Sequence, residues 1–320
     1  MIFKTIPQNG ASWSGPLLYE VEFDQQMEQV AVEIYDQLSL KTFGVVMLYN
    51  VESATIDIAP YIRSAMAQID ILAQGSDVIQ RSQDACRVLL IIDGERSDQR
   101  LFWRSDIRGV SQKFFSASVP NDTIAAGETI RFSVFATDTV EVIVNRELAS
   151  TTSRYGARTL GVPSDVALKI KDVVEGEKIM VSVKLNSQQT TVYTYRVVKR
   201  DSSAVRLAWV NSSGGLEAYT FAQSIRRRVV VKAEDIEAES GWYRRIASAR
   251  VVRGVIMAGA MQSEVDRVLD MLLSPKVYRC DETESMAVQL LTDTILYDDH
   301  GRLRRLEFDI EEEWKGGSYA

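Results

Sequence analysis

Histidine, cysteine and proline are scarce in this chain: His300 stands alone, Cys86 and Cys280 are the two thiols, and six prolines serve 320 residues. Each scarcity removes a class of protein. A single histidine excludes any site built on two, and with it most metal constellations. Cys86 and Cys280 lie far apart and in no Cys-x-x-Cys pair, so neither a disulfide framework nor a zinc site is expected. A Gly-x-Ser-x-Gly elbow, a zincin motif, a phosphate loop and a dinucleotide glycine fingerprint are all missing. The reading is a protein without a cofactor and without catalysis.

Other absences concern place and partners. No apolar run approaches the roughly 20 residues of a membrane span. Met1 to Pro7 lacks the apolar core of a signal peptide, which reads as a protein made in the cytoplasm that stays there or leaves by a route other than secretion. The glycosylation-like matches at Asn121 and Asn211 are then accidental. A net charge of -7 argues against a general nucleic-acid binder, because phosphate contacts need clustered Lys and Arg.

What is present is strand signal. Leu17, Tyr19, Val21 and Phe23 alternate along one face, as do Val30, Val32 and Ile34. Phe43 to Tyr49 and Ala54 to Ala59 continue the pattern, and Tyr61 to Met66 makes a helical turn. Arg87 to Ile92 reads as a strand buried on both faces, closed by the Asp93-Gly94 turn. Gly127 to Val134 and Gly176 to Val183 echo each other, each a glycine turn followed by a period-two strand; they suit two strands of one sandwich. The expected fold is mainly β: an N-terminal β-sandwich over 1–116, an immunoglobulin-like sandwich over 117–200 and an α+β domain over 201–320. That last part holds the one clear helix, with Ser263 as cap, Asp266 closing the box, Val265, Val268, Leu269 and Leu272 facing the core, and Pro275 as the stop.

The stretch that organises the chain is Arg206 to Phe221. Two apolar-aromatic runs flank Asn211-Ser212-Ser213-Gly214-Gly215, a strand–turn–strand in which Trp209, Tyr219 and Phe221 cover one face and the glycines take positive φ. It reads as a rigid turn with an aromatic lid, or as a ligand-binding loop. Arg226, Arg227, Arg228, Arg244 and Arg245 lie on strand-forming runs, Ser224 to Val231 and Trp242 to Met257. Alternation splits them between faces, so they suit salt bridges within the chain or across a subunit contact. Asp281 to Glu284 and Glu311 to Glu313 read as solvated turn and tail, with a divalent cation at the first left open. His300 reads as a hairpin tip.

Five pieces in order resemble a known group: Ser14-Gly15-Pro16-Leu17-Leu18-Tyr19-Glu20-Val21, Ile56 to Ile62, the Trp209 to Phe221 element, Leu272 to Tyr278, and Leu306 to Glu313. Their order is similar to that in structural proteins of the tail or baseplate kind encoded by phages and prophages of Bacteroidales-type gut bacteria. Leu216-Glu217-Ala218 fits that pattern only loosely. The resemblance implies a non-enzymatic, β-rich virion component, found in the virion or host cytoplasm, whose partners are other tail subunits or further copies of itself. A carbohydrate- or protein-binding sandwich of a cell-surface system is the alternative.

Overall fold

The computed structural model describes the chain except residues 68–69, 71, 73–76, 117–121, 200–202, 222, 238–242, 261, 281–284, 292–295, 299–303 and 314–320. His300 and Asp281 to Glu284 lie outside the described residues. The protein is mainly β, with several sheets in sandwich-like arrangements and two described helices.

The first part comprises β1 (Ile2–Thr5), β2 (Ala11–Ser12), β3 (Leu18–Asp36), β4 (Lys41–Asp57), α1 (Ala59–Ala67), β5 (Ile79–Arg81), β6 (Cys86–Ile92), β7 (Glu95–Arg96), β8 (Arg100–Trp103) and β9 (Gln112–Phe114). Seven of these strands form one sheet, in the order β1-β3-β6-β8-β2, with β4 on β3 and β7 on β6. The four short runs read from the sequence fuse into two long strands, β3 and β4, paired from Leu18↔Asp57 to Asp36↔Lys41. Asp36 shapes the turn between them by accepting the Leu38 and Ser39 amides at 3.2 and 2.8 Å. The helical turn at Tyr61 to Met66 is a full helix. Asp57 accepts the Ala59 amide at 3.0 Å, Pro60 suits a first turn, and Ala59, Ile62 and Met66 are buried. Asp93 and Gly94, at φ 49° and 84°, give the tight turn from β6 to β7.

The middle part holds β10 (Asp122–Ala125), β11 (Thr129–Ala136), β12 (Thr139–Arg146), β13 (Thr151–Arg158), β14 (Ser164–Lys169), β15 (Lys178–Leu185) and β16 (Gln188–Val198). A five-stranded sheet, β10-β16-β15-β12-β13, faces a four-stranded sheet, β5-β14-β11-β9. The two echo strands sit in opposite sheets: Ile130, Phe132 and Val134 of β11 share a core with Ile179, Val181, Val183 and Leu185 of β15. Alternation decides which residues these are, because every second side chain points inward. β5 and β9, which precede residue 117, are hydrogen-bonded into this sandwich through β14 and β11.

The last part holds β17 (Val205–Val210), β18 (Leu216–Phe221), β19 (Gln223–Glu237), β20 (Tyr243–Ala260), α2 (Gln262–Leu272), β21 (Val277–Cys280), β22 (Ser285–Leu290), β23 (Leu296–Asp298) and β24 (Arg304–Glu313). Its sheet runs β18-β17-β21-β22-β24-β20-β19, with β23 on β24. Val265, Val268 and Met271 of α2 pack on one face against Leu207, Val255, Leu306, Phe308 and Ile310. Ser263 is not the cap: the helix begins at Gln262, whose side-chain amide bonds Asp266, so no capping box forms with Ser263. Nor is the Glu311 to Glu313 run wholly solvated. Glu312 shares the inward face of Ile310 and is buried between Arg253 and Arg279, with the Arg253 pair at 3.4 Å.

Candidate functional site

The β17–β18 hairpin is covered on both faces. Trp209, Tyr219 and Phe221 join the core under α2, with Tyr219 edge-on to Phe221 at 5.0 Å and Phe221 edge-on to Phe308 at 5.3 Å. Each such aromatic contributes about 1.5–3 kcal/mol by leaving water. On the other face Ala208, Val210, Leu216 and Ala218 meet Leu72 and Tyr278. Period two makes both faces from one hairpin, and neighbours from distant parts of the chain fill them.

Asn211 fixes the turn. Its Oδ1 accepts the Gly215 amide at 2.8 Å, while Nδ2 donates to the Phe115 carbonyl at 2.6 Å and to Glu217 Oε1 at 2.9 Å. Gly214 has φ +83°, the left-handed region that favours glycine. Gly215 does not, which corrects the reading of two positive-φ glycines. What Gly215 requires is space: a Cβ there would meet the backbone of Phe115.

Buried ions tie the hairpin to its surroundings. Arg267 of α2 reaches Asp122 Oδ2 at 2.7 Å, Glu217, and the Ala218 carbonyl at 3.1 Å. Burial alone would lower the guanidinium pKa; the charges of Asp122 and Glu217 outweigh it and hold the group above its ordinary value. Arg206 donates to the Thr129 carbonyl at 2.7 Å and to Thr220 Oγ1 at 2.8 Å, and Thr220 Oγ1 donates in turn to Glu128 at 2.6 Å. A third chain runs from the N-terminal sheet. Trp103 Nε1 donates to Asp84 at 2.9 Å, Asp84 pairs with Arg104 at 2.9 Å, and Arg104 lies 3.4 Å from Asp165. Ser133 donates to Asp165 at 2.5 Å and accepts the Leu216 amide at 2.9 Å. Burial pushes the Asp165 carboxyl above its ordinary pKa, against the pull of Arg104. All three parts of the chain therefore meet at this hairpin, through charges that only a fixed arrangement can satisfy. In sequence terms the signal for these partners is weak, since most of them lie far apart along the chain.

The arginines predicted as interface residues lie mainly on a β-ribbon. β19 and β20 pair from Gln223↔Ile256 to Glu237↔Tyr243, whereas β24 pairs β20 only from Arg250 onward. Seven register pairs, Val231↔Ala249 to Glu237↔Tyr243, thus extend with no third strand among the described residues. The extension spans about 23 Å. Arg244 and Arg245 oppose Ile236 and Asp235 there, while Arg226 and Arg227 lie at its root opposite Gly254 and Arg253. The side chains of these four arginines lie outside the described residues. Arg228 is exposed, 4.0 Å from Asp309.

Clefts are shallow in chemistry. The cleft beside the β3–β4 turn, about 530 Å³, is lined by Asp36, Ser39, Lys41, Ser64 and Arg81 among others. Its buried carboxylate, Asp36, is occupied by backbone amides, that of Arg87 included at 2.7 Å. Among the described residues no group of three or more His, Cys, Asp or Glu could hold a metal ion, and no described helix is long and apolar enough to cross a membrane. Cys86 and Cys280 are both free thiols. No protein-family model matches the chain, and no curated protein matches it in sequence.

Proposed function

We propose that this protein is a non-enzymatic structural subunit of a phage or phage-like particle, acting in a tail or baseplate through protein–protein contacts. The observation that carries the reading is the β19–β20 ribbon. A two-stranded ribbon is marginal in water by itself, and a third strand or a packed face is what stabilises one. Among the described residues no third strand pairs with the ribbon from Val231↔Ala249 outward, and a neighbouring subunit is the source this reading assigns. The rest of the molecule suits such a role. Buried ion networks tie the three parts of the chain together around the aromatic hairpin. Heterologous contacts repeated around an axis build rings from such parts.

The test is co-purification with the products of flanking genes. Val230 and Arg250 are register partners, so an Asn-Gly turn joining them removes the arm cleanly. The shortened protein should keep its thermal midpoint and lose its neighbour. Contacts through Arg226 to Arg228 and Arg244 to Arg245 should weaken with added salt. A protein that ignores every neighbour, yet binds a glycan or turns over a substrate, overturns the reading.

A further inference from the structure

The cleft beside the β3–β4 turn holds two cations without a counter-ion. Lys41, at the start of β4, and Arg81, at the end of β5, both line it and both are exposed. Among the described residues neither side chain forms an ion pair or donates a hydrogen bond. The one carboxylate in the lining does not serve them. Asp36 is buried, and its oxygens already accept the Leu38, Ser39 and Arg87 amides and the Ser39 hydroxyl. Another polar cleft, at Arg87 and Arg100, differs in this respect: it contains Asp98, which pairs with Arg100 at 3.3 Å.

The rest of the lining says what kind of anion suits these cations. At about 530 Å³ the cleft is within the roughly 300–1,000 Å³ of small-molecule sites. Its buried and half-buried part is apolar, from Met66, Leu38 and Phe43, while Ser39, Ser64 and Gln83 are exposed in the polar part. An apolar floor under hydroxyl and amide groups fits a ring that carries hydroxyls on its edge. Ser64 and Met66 belong to the last turn of α1, where carbonyls lack partners inside the helix and the dipole is negative. Such an end accepts hydroxyl protons and disfavours a dianion, so one carboxylate fits better than a phosphate. We propose that this cleft binds an acidic sugar, a hydroxylated ring bearing one carboxylate, with the carboxylate held by Lys41 and Arg81. The site uses no residue of the β19–β20 ribbon, and it holds or fails independently of the particle reading.

Ligand-observed NMR on the intact chain tests it, with glucuronate and glucose titrated at constant ionic strength and inorganic phosphate added as competitor. Glucuronate should bind, and glucose, which lacks the carboxylate, should bind about tenfold more weakly or less. Phosphate at equal concentration should not displace glucuronate. Lys41→Gln and Arg81→Gln should each weaken glucuronate by about tenfold and leave glucose as it is. Arg228→Gln, which removes the same charge from the last part of the chain, should change neither. All three side chains are exposed, so thermal midpoints close to wild type are expected. Absence of glucuronate binding, equal affinity for glucose, or displacement by phosphate overturns the proposal. So does glucuronate binding that survives both Lys41→Gln and Arg81→Gln, or that Arg228→Gln weakens as much.

Discussion

Gly215 lies against Phe115 so closely that a Cβ on the glycine would sit 2.9 Å from the Phe115 carbonyl carbon and 3.0 Å from its oxygen. That oxygen is held by Asn211 Nδ2 at 2.6 Å, so it cannot easily retreat. Gly215→Ala should therefore cost about 1–3 kcal/mol, the usual range for overpacking. Chemical denaturation measures it; an unchanged midpoint would refute the contact.

Gly214 and Gly94 separate conformation from contact. Their φ values are nearly the same, +83° and +84°, but Gly94 has nothing within 4 Å of a Cβ, while Gly214 has Ser105 Cβ at 2.7 Å. Gly94→Ala should cost only the left-handed strain, about 1–2 kcal/mol. Gly214→Ala should cost more. Equal losses in the same denaturation assay would show that Ser105 and Arg104 give way freely.

Arg267 neutralises two buried carboxylates. Removing it takes a buried positive charge from between Asp122 and Glu217, so Arg267→Met should cost about 3–5 kcal/mol. Adding Asp122→Asn and Glu217→Gln should recover part of that loss, because the charges left behind are then gone. Stability measured across the full set of variants decides the matter, and strictly additive losses would argue against one coupled network.

Glu177 gives a pH signature. It is buried, accepts Arg146 Nε and Nη2 at 2.9 Å each, and is held below the ordinary glutamate pKa first by those bonds. A depressed folded-state pKa adds stability above the unfolded value of about 4.5 and loses it as pH falls through the folded value. Glu177→Gln should thus lower the thermal midpoint at neutral pH, with the gap to wild type closing in acid. A gap that is independent of pH would exclude the ion pair as its cause.

The thiols should report on burial. Cys86 is fully buried in β6, and desolvation pushes its thiol well above the ordinary range. It should resist alkylation in the native protein, while both thiols react after denaturation without reductant. Finding fewer than two thiols under those conditions would contradict the free cysteines of the fold.

The sequence by itself determined the strands, their inward faces and several turns. Leu17, Tyr19, Val21 and Phe23, or Ile179 to Leu185 taken alternately, could be assigned because period two is a local property of the backbone. Asp93-Gly94 could be read for the same reason, since positive φ is a local demand. The grouping of Trp209, Tyr219 and Phe221 is likewise local to one hairpin. Only the tertiary structure decided what lies against each face. It buried Glu312 in an acidic run that reads as solvated, because Arg253 and Arg279 arrive from other strands. It gave Gly215 a steric reason in place of a conformational one, because Phe115 comes from a hundred residues upstream. Among the described residues it gave the outer ribbon no third strand, because β24 pairs with β20 only from Arg250. Period and propensity fix which way a side chain points; the partner it finds depends on how distant segments pack, and no local pattern encodes that.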